Sequence, residues 1–130
     1  MPNVNITVYH VIVGELNVAN WKLIRELAYK AEDNKKRLTD MFINGDYFTA
    51  VADITNSTLD DAYRLTNSIE EGWWKNEEVT PLFKASGAKS TDIGDIMMVE
   101  IPLEAKTEND AIAHYELYVV APIGFVKIDG

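Results

Sequence analysis

Apolar residues alternate with polar ones at the start of the chain, which predicts a strand over residues 4–13. Both sides of this segment become apolar from Val8 onwards, which is typical of a strand in the middle of a sheet. Over residues 18–42 the apolar positions instead recur every three or four residues, as on one face of a helix. The polar run at residues 31–37 leaves two alternatives open: one helix that passes through solvent, or two helices that meet near residues 33–34.

The rest of the chain shows four more strand patterns and one helix pattern. Strands are predicted over residues 47–54, 95–103, 113–120 and 125–128, and a polar hairpin loop at residues 104–110 joins the second and third of these. A short helix is predicted over residues 59–69, because capping-box spacing precedes an apolar row. The box consists either of Ser57 with Asp60 or of Thr58 with Asp61.

This order of elements predicts the α+β class. We expect a single compact domain over residues 1–130, with a mostly antiparallel sheet of about five strands. One long helix, continuous or broken, and one short helix would pack on it. A chain of this length can bury roughly two thirds of the surface that its unfolded form exposes.

The segment at residues 70–95 shows neither a helical nor a strand period. Loops beyond about 12–15 residues are uncommon in compact domains and often functional, and its aromatic residues are a type that disordered segments lack. Tryptophan is enriched at binding hot spots, but such rings can also cover a core, in which case a second, exposed ring would mark a contact surface. The predicted binding residues are Trp73, Trp74, Asn76, Leu82 and Phe83, with an acidic rim of Glu70, Glu71, Glu77 and Glu78.

The net charge of −9 is concentrated in the second half of the chain. Residues 1–57 carry seven acids and six bases, whereas residues 58–130 carry fourteen acids and six bases. This field would repel phosphates, so we expect no direct binding to nucleic acid. The acidic half either keeps the protein dispersed or meets a basic partner, including one that normally binds nucleic acid.

The residues offer little for catalysis. The chain has no cysteine and no P-loop, dinucleotide, nucleophile-elbow, zincin or EF-hand motif, and we expect neither a cofactor nor a metal, and no catalytic residue. His10 and His114 both lie in predicted strands. If those strands were neighbours, the two imidazoles could converge with a carboxylate such as Glu116 or Asp53.

The first residues of the sequence lack the pattern of a secretory signal, and no segment reaches the length of a membrane span. We therefore expect a cytoplasmic protein with no membrane partner.

Several short segments, taken in order, resemble YodL-like proteins, an uncharacterised family of small phage and mobile-element proteins. They include the serine-containing S-x-x-x-G-D segment that ends at Asp95 and the Y-x-V-x-x-x-G-F segment that ends at Phe125. The resemblance implies an accessory protein that acts in the cytoplasm of a bacterial host, and it implies no activity. The matching positions are Thr66, Asn67, Trp74, Asn76, Ser90, Thr91, Gly94, Asp95, Tyr118, Gly124 and Phe125.

The sequence therefore favours a non-enzymatic accessory protein, involved in host takeover, that binds a host or viral protein through residues 73–83 and their acidic surroundings. A first alternative is an acidic nucleic-acid mimic that inhibits a host defence or DNA-processing protein. Further alternatives are a structural component of a virion and a small hydrolase. The sequence leaves the oligomeric state open.

Overall fold

The computed structural model describes residues 4–12, 18–67, 72–75, 78–82, 90–102 and 113–129. Within these ranges three helices accompany a single six-stranded sheet in which every neighbouring pair of strands is antiparallel. The predicted α+β class is confirmed. The strands are β1 (Val4–Val11), β2 (Phe48–Ser57), β3 (Thr80–Pro81), β4 (Ile96–Pro102), β5 (Ala113–Val120) and β6 (Phe125–Lys127). The helices are α1 (Val18–Tyr29), α2 (Lys35–Ile43) and α3 (Leu59–Leu65), with short 3₁₀ turns at Ala31–Asp33 and Trp73–Lys75.

The sheet has the strand order β3-β2-β1-β4-β5-β6, so β1 lies in its middle, as its two apolar sides predicted. Alternate side chains of β1 enter two separate cores. Ile6 and Val8 pack with α3 and Trp73, whereas Val11 packs with α1 and α2. We call these two sides of the sheet the α3 face and the α1–α2 face. The fold therefore has three layers, with helices on both sides of the sheet.

The long helical segment is broken, which decides between the two alternatives that the sequence left open. The side-chain amide of Asn34 donates hydrogen bonds to the carbonyls of Leu27 (3.2 Å) and Lys30 (3.0 Å) at the end of α1. These bonds add a side-chain donor to carbonyls that also accept from the amides of Lys30 and Asp33, and they close the end of α1. The carbonyl of Asn34 then accepts a bond from the Leu38 amide (3.0 Å) and opens α2.

The first turn of α3 shows which of the two predicted capping boxes forms. The hydroxyl of Thr58 accepts a hydrogen bond from the amide of Asp61 (3.2 Å), so Thr58 is the N-cap. The helix ends at Leu65, short of the predicted residue 69. Residues 68 and 69 themselves lie outside the described ranges.

Strand β3 lies inside the segment for which the sequence predicted no regular structure. Its two residues pair with Ala52 and Asp53 of β2, and the next amide, of Leu82, donates to the carbonyl of Val51 (3.0 Å). Two residues are too few to show an alternating pattern, and proline is confined to edge strands because it lacks an N–H. The opposite edge is β6, and just after it the carbonyl of Ile128 lies 2.8 Å from the hydroxyl of Thr39 in α2, which also lies 2.9 Å from the carbonyl of Lys35.

Gly94 stands where the turn before β4 meets α1. Its φ of +97° lies in the left-handed region, and its amide donates to the carbonyl of Val120 (2.9 Å). A Cβ at this position would lie 3.3 Å from Cγ2 of Ile24. Gly124 also has a positive φ, +73°, but a Cβ there would meet nothing within 4 Å.

The two glycines give a matched pair of substitutions. We expect Gly124→Ala to destabilise the protein by about 1 kcal/mol, through backbone strain alone. Gly94→Ala adds the contact with α1, so its cost should reach about 2–3 kcal/mol. Urea unfolding of both variants measures the difference. Equal losses would show that the contact with Ile24 contributes nothing.

Candidate functional site

The two adjacent tryptophans have different environments. Trp73 is only 2% exposed and belongs to the core of the α3 face. Its ring contacts His10 and Trp74 edge-on, with 5.9 Å between ring centroids in each pair. Trp73 is therefore the ring that covers the core, and Trp74 is the more exposed ring of the pair.

The indole of Trp74 is half-buried and held in a defined position. Its six-membered ring lies over Gly72, where a Cβ would collide with three of its atoms. The ring of Trp73 also contacts the Trp74 ring, edge-on. The glycine therefore provides the space that this indole occupies, and two neighbours restrict the ring's movement.

The two other described members of the predicted binding set are exposed. Leu82 is 42% exposed, and Glu78 is exposed as well. Glu78 borders a polar cavity of about 480 Å³ that Asp61 and Arg64 of α3 also line. The predicted binding residues Glu70, Glu71, Asn76, Glu77 and Phe83 lie outside the described ranges.

Several of the family-like positions converge on a buried chain of hydrogen bonds beside Trp73. Nε2 of His10 lies 2.8 Å from the hydroxyl of Thr91, which donates to the hydroxyl of Thr66 (2.7 Å). Thr66 in turn donates to the carbonyl of Ala62 (2.8 Å). Because a carbonyl can only accept, it sets the direction of the whole chain. Nε2 of His10 therefore carries a proton and donates it.

Asp95 holds the strand end next to this chain. Its Oδ1 accepts from the amide of Val11 (2.9 Å) and its Oδ2 from the amide of Asp92 (2.8 Å). The carboxylate is 1% exposed, and Oδ2 lies 3.9 Å from Nε2 of His10. Hydrogen bonds to a charged acceptor are stronger than neutral ones. Asp95 thereby fixes the end of β1 to the turn that precedes β4.

A histidine beside an aspartate can act as an acid–base pair, but a catalytic base must reach the proton that it removes. His10 is 3% exposed and Asp95 1% exposed, and their described bonds join elements of the fold. The arrangement is typical of a structural network. Two other family-like positions, Asn67 and Ser90, are half-buried and adjoin Thr66 and Thr91 in sequence. The remaining ones lie apart from the network, in β5, β6 and their connection: Tyr118, Gly124 and Phe125.

The two histidines do not meet. β4 separates β1 from β5, and the residues lie toward opposite ends of the sheet, since Tyr9 pairs with Ile96 whereas His114 pairs with Ile101. Asp53 accepts a bond from the hydroxyl of Thr7 (2.7 Å). A joint site of both imidazoles is therefore not formed. Among the described residues no group of three histidine, aspartate or glutamate side chains could hold a metal ion.

Glu116 instead joins a polar cluster on the α3 face of β5 and β6. Its carboxylate accepts a bond from the hydroxyl of Tyr118 (3.2 Å) and contacts Nζ of Lys127 (3.2 Å), and Nε2 of His114 lies 3.8 Å away. Burial raises the pKa of Glu116, but the bonds from Lys127 and Tyr118 outweigh it and lower that pKa overall. Sequence reasoning missed Lys127. Folding residues 113–128 into a hairpin would have placed it opposite Tyr118.

An apolar cavity of about 240 Å³ lies beside this cluster. Leu59 at the start of α3 forms one wall, and the other apolar walls come from β1 and β4. Glu116 and Tyr118 close it on the side of β5. Because Glu116 already contacts Lys127 and Tyr118, its carboxylate is engaged within the fold.

Comparison of the chain with protein-family models, with curated proteins and with solved structures finds no match. No helix in the described part of the chain is long and apolar enough to cross a membrane.

The buried hydroxyl chain should contribute measurably to stability. Thr66→Val keeps the shape but removes the acceptor of the Thr91 hydroxyl, which should cost about 1–3 kcal/mol in urea unfolding. Thr55→Val, at an exposed position of β2, is the control and should stay within about 0.5 kcal/mol of the native protein. Similar values for both variants would contradict the role of the chain.

The Glu116 cluster should make stability depend on pH at the acid end. Because folding lowers the pKa of Glu116 from its ordinary 4.5, its contribution is present above pH 4.5 and is lost as the pH falls through the folded-state value. Glu116→Gln should therefore lose less stability than the native protein between pH 6 and about pH 3. Lys127→Met should reduce the loss in the same way, because it removes a group that lowers this pKa. Parallel curves of unfolding free energy against pH would contradict this assignment.

Proposed function

We propose that this protein is a non-enzymatic accessory protein of a phage or mobile element that binds a host or viral protein through the surface around Trp74. The observation that carries the proposal is the half-buried indole of Trp74, placed over Gly72 and against the buried ring of Trp73. The resemblance to YodL-like proteins supports the phage origin and the bacterial cytoplasm as the place of action.

The restricted position of the Trp74 ring is the physical reason for proposing it as the contact residue. A side chain that is already ordered loses little conformational entropy when a partner binds, so more of the contact energy appears as affinity. Tryptophan is also among the residues most enriched at binding hot spots. Trp73 serves the site indirectly, since it anchors the segment in the core.

The surroundings of Trp74 along the chain fit a basic protein partner. Leu82 and Glu78 are exposed in the same segment, and residues 58–130 carry eight more acids than bases. Such an excess attracts a positively charged partner and raises the rate of encounter. The aromatic contact would then supply most of the affinity.

The alternative of a nucleic-acid mimic receives less support. A mimic needs uncompensated carboxylates at phosphate-like spacing, whereas several acids of the C-terminal half have basic neighbours. Arg64 lies 3.6 Å from Asp61, Arg25 lies 2.8 Å from Asp92, and Lys127 lies 3.2 Å from Glu116. These pairs reduce the continuous negative field that a mimic would present.

The test is affinity capture from a bacterial lysate with the native protein and a Trp74→Ala variant. We expect Trp74→Ala to weaken the capture of a specific protein by about 30-fold or more, the loss of a hot spot. Gly72→Ala, which displaces the ring without removing it, should weaken the same capture. Trp73→Ala is unsuitable as a probe, because emptying a buried tryptophan site costs about 3–5 kcal/mol of stability.

Tyr115→Ala is the control, because this tyrosine is an exposed aromatic residue on β5 and should leave capture unchanged. Each capture is repeated at low and high salt. A partner that resists Trp74→Ala but is lost at high salt would contradict the aromatic contact and favour the mimic.

A further inference from the structure

The tip of the β5–β6 hairpin presents an apolar side chain to solvent. Ile123 is 94% exposed, in a turn closed by a hydrogen bond from the amide of Ala121 to the carbonyl of Gly124 (3.0 Å). Gly124 has a positive φ and lets the chain reverse there. An isoleucine side chain exposed to this extent gains little from burial within its own chain.

A concave surface lies directly beside this tip on the α1–α2 face. This shallow, open concavity has a volume of about 470 Å³ and lies between the hairpin tip, the end of α1 and the 3₁₀ turn at Ala31–Asp33. Tyr29, which is 53% exposed, forms part of its wall, together with Pro122 and Val126. A projecting isoleucine and an apolar concavity are therefore neighbours on one surface. We call this surface, lined by residues 28–33, 121–123 and 126, the hairpin-tip surface.

Such a surface is suited to a second copy of the same chain. In a two-fold dimer the same patch is used by both subunits, so a residue that projects from one copy meets the equivalent surface of the other. Ile123 of each copy can then enter the concavity of its partner. Two apolar projections are buried by one symmetric contact.

The helices of this face differ in charge from the chain as a whole. The net charge is −9, and two copies repel each other wherever their acidic surfaces meet. Residues 18–43, which form the two helices of this face and the turn between them, instead carry six bases and four acids. These helices therefore carry two more bases than acids, in contrast to the acidic excess of the whole chain.

The rim of the concavity carries both signs of charge. Lys30, Glu32 and Asp33 are all exposed there. Glu32 already contacts Lys35 at 3.1 Å within its own chain. Asp33 is therefore the better acceptor for Lys30 of a second copy, and a two-fold axis forms this pair twice.

We propose that the protein forms a two-fold symmetric dimer through the hairpin-tip surface, with Ile123 as the central contact and Lys30 and Asp33 as reciprocal charge pairs at the rim. The proposed interface lies on the α1–α2 face, whereas Trp73, which anchors Trp74, packs on the α3 face.

Sedimentation velocity over a range of protein concentrations tests the dimer. We expect the native protein to approach twice its monomer mass of 14.6 kDa as concentration rises. Ile123→Glu should raise the dimer dissociation constant about 30-fold or more, as expected for a central hot spot. Ile43→Glu is the matched control, because Ile43 is also exposed (69%) and lies at the end of α2, away from the concavity. A native protein that stays monomeric throughout, or an equal effect of both variants, would overturn the proposal.

Charge reversal tests the symmetry itself. Lys30→Asp alone brings like charges together in a homodimer, and so does Asp33→Lys alone, so each variant should dissociate more readily than the native protein. An equimolar mixture of the two variants restores both opposite-charge pairs in a mixed dimer and should associate more tightly than either variant by itself. A mixture that behaves as the average of its components would contradict the two-fold arrangement.

Discussion

The fold depends on one buried carboxylate. Asp95 accepts hydrogen bonds from the amides of Val11 and Asp92, and so joins the end of the central strand to the turn before its neighbour β4. His10 lies next to it and begins the hydroxyl chain that reaches α3 through Thr91 and Thr66. Trp73 packs on the His10 ring. The aromatic segment is therefore anchored to the middle of the sheet, although its first described residues lie far from β1 in sequence.

Local patterns predict the parts of this fold that depend on neighbouring residues. The bounds of β5 are those that its alternation predicts, and the polar run between α1 and α2 marks the break between them. Strand β3 was missed because partner residues, and not its own sequence, define it. The pairing of Thr66 with Thr91 was also beyond reach, since 25 residues separate them. The sequence identifies Thr66, Thr91 and Asp95 as separate motif positions, but only the folded chain brings them together around His10.

In the candidate site, too, local sequence predicts some features, whereas others depend on contacts in the folded chain. Sequence composition indicates an aromatic binding segment, and the structure distinguishes the two rings by burial. The sequence could not show that the Trp74 ring packs over Gly72, because this contact depends on the path of the folded chain.

If two copies associate through the hairpin-tip surface, each dimer carries two Trp74 sites. A target with two binding regions would then be held by both sites, with an avidity above the affinity of one.

Both edges of the sheet are short. In the described part of the chain β3 has two residues, one of which is Pro81, and β6 has three. Unpaired strand edges are the usual templates for cross-β growth between molecules, and proline and short length are the usual protections. The β-branched residues of β1 lie between two strands on the inside of the sheet. Among the described residues the sheet therefore offers only short edges for the addition of a strand from another molecule.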